Sequence, residues 1–239
     1  MRATLRWACV AAVMSALAFA LPFITAFPQV HRWMPRLAGR GRPGHVALTF
    51  DDGPDPCGTP EILDILARLE VKATFFMLGE QVAKHPDVAQ RVVAEGHEIA
   101  LHGWDHRNSL LVPPRRLRAS LVRASDEIAA ATGVRPVWYR PPYGIPTGAT
   151  FWASRSLGLM PVLWDACGRD WREDATAEEV VRDVMRDARD GSTVLLHDSD
   201  YQAAPGSWKV TAAALEPLVV RLRELDLTVG PLRNHMARH

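Results

Sequence analysis

The sequence predicts an α/β fold built on parallel strands, either a closed barrel or an open wound sheet. Three observations predict it. Short apolar runs alternate with amphipathic helical patterns in seven β/α units between residues 46 and 229. The runs are apolar almost throughout, as strands covered by helices on both faces must be. Residues able to do chemistry fall just past the ends of the runs, the rim where the loops of a β/α barrel build a site.

Residues 46–50 form the first expected strand. A helix over 59–69 follows, with Ile62, Ile65, Leu66 and Leu69 on one face. Residues 73–78, rich in Phe and bounded by Gly79, are the second strand. Pro86 opens a helix and Gly96 closes it, because proline suits a first turn and glycine the residue past the last. Residues 97–101 are the third strand. A long helix over 114–131 turns Leu117, Leu121, Val122 and Ile128 inward and stops at Gly133. Residues 137–139 and 160–164 are the fourth and fifth strands, separated by a helix around 149–157. Thr176 and Glu179 have the spacing of a capping box, so a helix is expected from there to about Arg189. Gly191 ends it, and 193–196 is the sixth strand. A last helix, about 208–224, leads to the seventh strand at 227–229.

The chain has 239 residues, 48% hydrophobic and 23% charged. Those values exclude a disordered chain, a disulfide-stapled miniprotein and a multi-span membrane protein. One domain of about 200 residues behind a short leader is expected. Residues 1–42 hold six Arg and no acid, leaving 22 basic groups against 27 acidic ones in the rest. A domain of that sign has no electrostatic footprint for nucleic acid. Past the leader, Cys57 and Cys167 show no metal-type or framework spacing and read as free thiols, a single bridge between them being the alternative. Oligomeric state is not readable.

Residues 1–30 are expected as a signal peptide or an N-terminal hydrophobic helix anchored in a membrane. Residues 7–27 are uncharged behind Arg2 and Arg6, long enough to span, and Ala18-Phe19-Ala20 is a small-x-small cleavage pattern. The arginines that follow, Arg32, Arg36, Arg40 and Arg42, would by charge alone hold that side in the cytoplasm. Export, anchored outside or secreted, is the reading adopted, because the chemistry suits an outside polymer. Residues 31–45 read as a basic Pro/Gly linker, 46–231 as the catalytic domain and 232–239 as a tail.

Asp51 and Asp52 follow the first strand, His102 the third with His106 four residues on, Arg140 the fourth, Asp165 the fifth, and His197 with Asp198 the sixth. One carboxylate and two imidazoles make a three-ligand metal set that keeps a position open, as catalytic zinc sites do. A metal there lowers the pKa of its water and polarises a carbonyl. A neighbouring carboxylate can take the water proton and a separate imidazole can protonate a departing amine. Asp51, Asp52 and His197 fit that division of labour. The ligand set suits Zn, and also Co, Ni, Mn or Fe.

Thr49-Phe50-Asp51-Asp52-Gly53, His102-Gly-Trp-Asp-His106, Arg140-Pro-Pro-Tyr-Gly144, Asp170-Trp171 and Leu195-Leu-His197-Asp198 occur in that order. As a set they resemble the motif series of NodB-like polysaccharide deacetylases, carbohydrate esterase family 4, over about residues 43–231. The resemblance implies a distorted, incomplete (β/α)7-type barrel and a divalent metal, usually zinc, used to remove N-acetyl groups from sugars. It implies Asp51 as base, Asp52, His102 and His106 as metal ligands, and Arg140 as the residue that orients the base. It further implies the Tyr143 backbone N–H as an oxyanion donor, His197 as acid, Asp170 as its partner, and Trp171 with Leu195 as walls of an acetyl pocket.

Two positions depart from the pattern. Gly103 stands where such proteins usually carry Ser or Thr, and Cys167 stands where an acid commonly lies three residues before Asp-Trp. Neither is a proposed base, acid or ligand. The expected function is therefore a metal-dependent hydrolase acting on N-acetylglucosamine units of peptidoglycan, chitin-like oligomers or another extracellular glycan. The alternatives are a related amidohydrolase on a small amide, or an inactive glycan-binding protein at the membrane.

Overall fold

The computed structural model describes residues 33–236; the expected leader lies outside them apart from its basic flank. Among the described residues no helix is long and apolar enough to cross a membrane.

The first strand, β1, is His45–Asp51, and every residue of it is buried. Its pleat sorts its side chains. Val46, Leu48 and Phe50 enter the large core that packs sheet against helices, while Ala47 joins a smaller cluster on the opposite face. That period puts Thr49 and Asp51 on the inner face too. Helix α1 (Gly58–Arg68) crosses to β2 (Thr74–Leu78), followed by α2 (Gly79–Lys84) and α3 (Pro86–Ala94). Next come β3 (Glu98–Gly103), α4 (Pro114–Thr132), β4 (Trp138–Tyr139), α5 (Gly148–Ser156), β5 (Met160–Pro161) and β6 (Ala166–Cys167). Helix α6 (Ala177–Asp187), β7 (Thr193–His197), α7 (Trp208–Arg223), β8 (Thr228–Gly230) and α8 (Leu232–His235) complete the order.

All strand pairs are parallel, in the order β5-β4-β3-β2-β1-β7-β6. Strand β8 pairs with the first residues of β1, and β2 with its last. No pairing joins β5 to β6 among the described residues, so the barrel is incomplete, as expected. The expected strand over 160–164 is broken. The Leu163 N–H bonds to the Leu37 carbonyl, and the Leu163 carbonyl accepts from the Arg140 guanidinium, so neither group is left for a ladder. Helix α2 was not expected; at six residues, with no side-chain cap, it is too short to show a period.

Part of the segment read as a linker folds against the barrel. Leu37 and Ala38 are buried, and the Gly39 carbonyl accepts from the Thr193 hydroxyl and from His235 Nε2. The segment read as a tail begins with α8, whose Leu232 and His235 are buried beneath the sheet. Cys57 and Cys167 are both free thiols.

Candidate active site

Strands β1, β3 and β7 end at one rim, and their last residues meet there. Asp52 Oδ1 lies 3.3 Å from His102 Nε2 and 3.3 Å from His106 Nε2. The ligand atoms of these three buried residues all fall within 4.8 Å of one another. His102 Nδ1 donates to the Arg140 carbonyl at 2.9 Å, which fixes the tautomer and leaves a bare lone pair on Nε2. Burial first, then the adjacent His102, lowers His106 to about 4, so its imidazole is neutral. A carboxylate oxygen 3.3 Å from two imidazole nitrogens, with no hydrogen-bond donor of its own, is a donor set that a divalent cation satisfies. The residues present fit a metal.

Asp51 sits beside this cluster and is held apart from it. Arg140 Nη1 donates to Asp51 Oδ1 at 2.6 Å, and the same nitrogen reaches Thr49 Oγ1 at 2.9 Å. Nη2 donates to the Leu163 carbonyl at 3.1 Å. With one oxygen so engaged, Asp51 Oδ2 turns to the metal corner, 3.7 Å from His102 Nε2. Arg140 is completely buried over the Phe76 ring, and burial lowers its pKa against the opposing pull of Asp51. Its Nε has no partner, and nearby stands the Cys167 thiol, pushed up to about 12 by burial and therefore neutral.

On the other side of β1, His197 pairs in register with Asp51. Its Nδ1 donates to Asp170 Oδ1 at 2.8 Å, and its backbone N–H donates to Asp170 Oδ2 at 2.7 Å. The Thr211 hydroxyl of α7 donates to that same oxygen at 2.6 Å. Burial works against charge on His197, but Asp170 above all, then Asp52 and Asp51, raises it to about 9. Trp171 meets the His197 ring edge-on at 5.4 Å between centroids, and Leu195 lies two residues before His197 on the same strand face. Tyr143 packs against His106 with centroids 4.6 Å apart, its ring 55% exposed over the site.

Asp52, His106 and Tyr143 all hold left-handed backbone, with φ of 76°, 54° and 61°. Non-glycine residues in that region concentrate at functional sites, where the fold over-determines them. Gly53 is required by contact: a Cβ there would lie 2.3 Å from an Asp198 oxygen.

The structure therefore brings together Asp51, Asp52, His102, His106, Arg140, Tyr143, Asp170, Trp171, Leu195 and His197. Two strand-end acids do not join them. Asp165 lies near the start of β7, paired with Arg40 at 2.6 Å and accepting from the Thr193 N–H, so it latches the N-terminal segment instead. Asp198 is buried against Gly53, its N–H on the Asp51 carbonyl, but its carboxylate accepts from Thr59 Oγ1 at 2.6 Å instead of joining the ligand set, and burial raises it to about 7. Sequence reasoning missed Thr49 and Thr211. Thr49 had a signal, since strand alternation puts it on the face of Asp51; Thr211 had none, arriving from a helix 41 residues beyond Asp170.

Residues 38–162 match the family model described as polysaccharide deacetylase. A chitooligosaccharide deacetylase of Rhizobium leguminosarum bv. phaseoli is 39% identical over 203 residues, covering 82% of this chain and 88% of that protein. The peptidoglycan-N-acetylglucosamine deacetylase PgdA of Listeria monocytogenes is 34% identical over 74% of this chain and 36% of its own length. Among solved structures, the Bc1960 peptidoglycan N-acetylglucosamine deacetylase superposes with a TM-score of 0.78 at 31% identity, covering 87% of this chain and 96% of that one.

Proposed function

Because the chain belongs to the polysaccharide deacetylase family, we propose that it hydrolyses the N-acetyl amide of N-acetylglucosamine units in a glycan, releasing acetate. Both named relatives act on such glycans, one on chitooligosaccharide and one on peptidoglycan. One observation carries the reading. A three-ligand cluster is flanked by a carboxylate and an imidazole, each locked by its own buried partner.

Asp52, His102 and His106 would hold the divalent metal, zinc by preference, which supplies Lewis acidity and a water of lowered pKa. Arg140 occupies one oxygen of Asp51 and leaves the other free to take the proton of the attacking water. The Tyr143 N–H is assigned to the oxyanion of the tetrahedral carbon, where a fixed donor counts most. His197, charged through Asp170, delivers a proton to the nitrogen as the C–N bond breaks, so the amine leaves neutral. Trp171 and Leu195 are assigned to the acetyl methyl. An exported location belongs to the same reading, since the leader has the features of a signal or anchor and peptidoglycan lies outside the membrane.

Acetate release from peptidoglycan and N-acetylglucosamine oligomers, by metal-stripped and then zinc-loaded protein, tests this. Zinc-dependent acetate is expected. Asp51→Asn should lower kcat by about a hundredfold or more while zinc stays bound; undiminished turnover would falsify the base assignment.

A further inference from the structure

The turn that carries Asp52 is held from three directions, one of them a side chain that the mechanism leaves unused. Asp52 has a left-handed backbone, φ 76°, which a residue with a Cβ keeps only where its surroundings impose it. On the β2 side the Leu78 N–H donates to the Gly53 carbonyl at 2.9 Å. On the β7 side the Asp198 N–H donates to the Asp51 carbonyl at 3.4 Å. Between them the Asp198 carboxyl group lies flat on Gly53, where a Cβ would stand 2.3 Å from Oδ2 and 2.7 Å from both Cγ and Oδ1.

That carboxyl group is fixed in turn. Asp198 is 1% exposed, and the Thr59 hydroxyl donates to its Oδ2 at 2.6 Å. Thr59 Oγ1 itself accepts from the Asp55 N–H at 2.8 Å, so residues 53–59 close as a loop around Asp198. Gly58 meets the backbone of the same residue, since a Cβ there would lie 2.3 Å from the Asp198 carbonyl oxygen. Asp198 also follows His197 directly, so one short segment braces the ligand turn and carries the proton-donating imidazole.

Resting on the deacetylase reading above, we infer that Asp198 is a positioning residue for the metal site: by filling the space against Gly53 it keeps the Asp52 carboxylate on His102 and His106. Its part is shape and not ligation. Without the carboxyl group a void would open against the turn. The left-handed Asp52 could then relax to an ordinary backbone, carrying its oxygen away from the two imidazoles. Contacts one step outside a ligand are worth about 10–100-fold in metal affinity.

Zinc Kd by chelator competition and the visible spectrum of the cobalt-loaded protein test this. Asp198→Ala should weaken zinc about tenfold and shift the cobalt spectrum. Asp198→Asn keeps the shape and the acceptor, and should restore both, with a Kd within about twofold of wild type. Thr59→Val removes the donor that fixes the carboxyl group and should weaken zinc about threefold, the worth of one hydrogen bond. A wild-type Kd in Asp198→Ala, or in Thr59→Val where Asp198→Ala fails to fold, overturns the proposal. A loss in Asp198→Asn as large as in Asp198→Ala overturns it too, because charge and not shape would then be at work. Acetate release separates the underlying reading. Wild type that binds zinc but releases no acetate from N-acetylglucosamine oligomers sinks the deacetylase reading, while the Kd comparison still decides Asp198.

Discussion

His197 is a competent proton donor at neutral pH because of one carboxylate. Asp170 accepts from both its Nδ1 and its backbone N–H, so the ring is oriented and charged by the same group. Its folded pKa, about 9, lies above the ordinary 6.5. The stabilisation from this pair is therefore complete below pH 6.5 and is lost as pH rises through about 9. The activity that needs the proton is lost over the same alkaline range. In Asp170→Asn the alkaline limb of kcat/KM should move down by one pH unit or more, and a pH–rate profile checks it. A limb that stays in place would remove Asp170 from the mechanism. Thr211 acts one step further out, on Asp170 Oδ2. Thr211→Val should cost about 1–3 kcal/mol, the worth of a hydrogen bond to a buried charge, readable by urea melts.

At the scale of elements, the positions that matter most are where a strand becomes a turn. Gly103 ends β3 with φ +112°, yet a Cβ there has room, so an added methyl meets backbone strain and little else. Gly103→Ala should therefore destabilise by about 1–2 kcal/mol without any packing clash, measured by chemical denaturation. A loss far beyond that range would mean the loop is tighter than its geometry shows. What was legible in the sequence follows the same division. Strand β1 and the Thr176–Glu179 capping box were readable because their signals are local, a buried apolar run and a three-residue spacing. The strand-end rim was readable too, since the motif residues sit in sequence beside the strands that carry them. The split of 160–167 into β5 and β6 was not readable, because Leu163 takes its partners from residues 37 and 140. Asp165 was misplaced at the rim for the same reason, its partner being Arg40.

Over the whole molecule, an incomplete barrel leaves two weak places, the gap between β5 and β6 and the floor. Residues 37–42 and α8 close both. Leu163 bonds to Leu37 across the gap, the Arg42 N–H bonds to the His235 carbonyl, and His235 Nδ1 lies 3.0 Å from His45 Nδ1. Burial, then His235 and Arg42, lowers His45 to about 4. His97 and His106 are also lowered to about 4, burial again leading. For a base with a depressed folded pKa the unfolded chain binds more protons, so its stability is present above pH 6.5 and lost as pH falls toward 4. Asp198, raised to about 7, and Asp165, also raised by burial, oppose this, His235, lowered by burial, adds a fourth imidazole to it, and His197 removes stability only above 6.5. Metal-free protein should accordingly have its highest Tm near neutral pH and lose more on the acid side. A chain begun at residue 43 would lack Leu37, Ala38 and the Arg40–Asp165 pair, leaving Asp165 half-enclosed without its cation. Arg40 is about a third exposed and Asp165 keeps its donors from Ser192 Oγ and the Thr193 N–H, so losing this pair costs about 1 kcal/mol on top of the lost apolar burial. That truncation should melt well below a chain begun at residue 33, and Asp165→Asn should recover part of the loss. Equal Tm for the two chains would mean that residues 33–42 lie on the barrel without holding it shut.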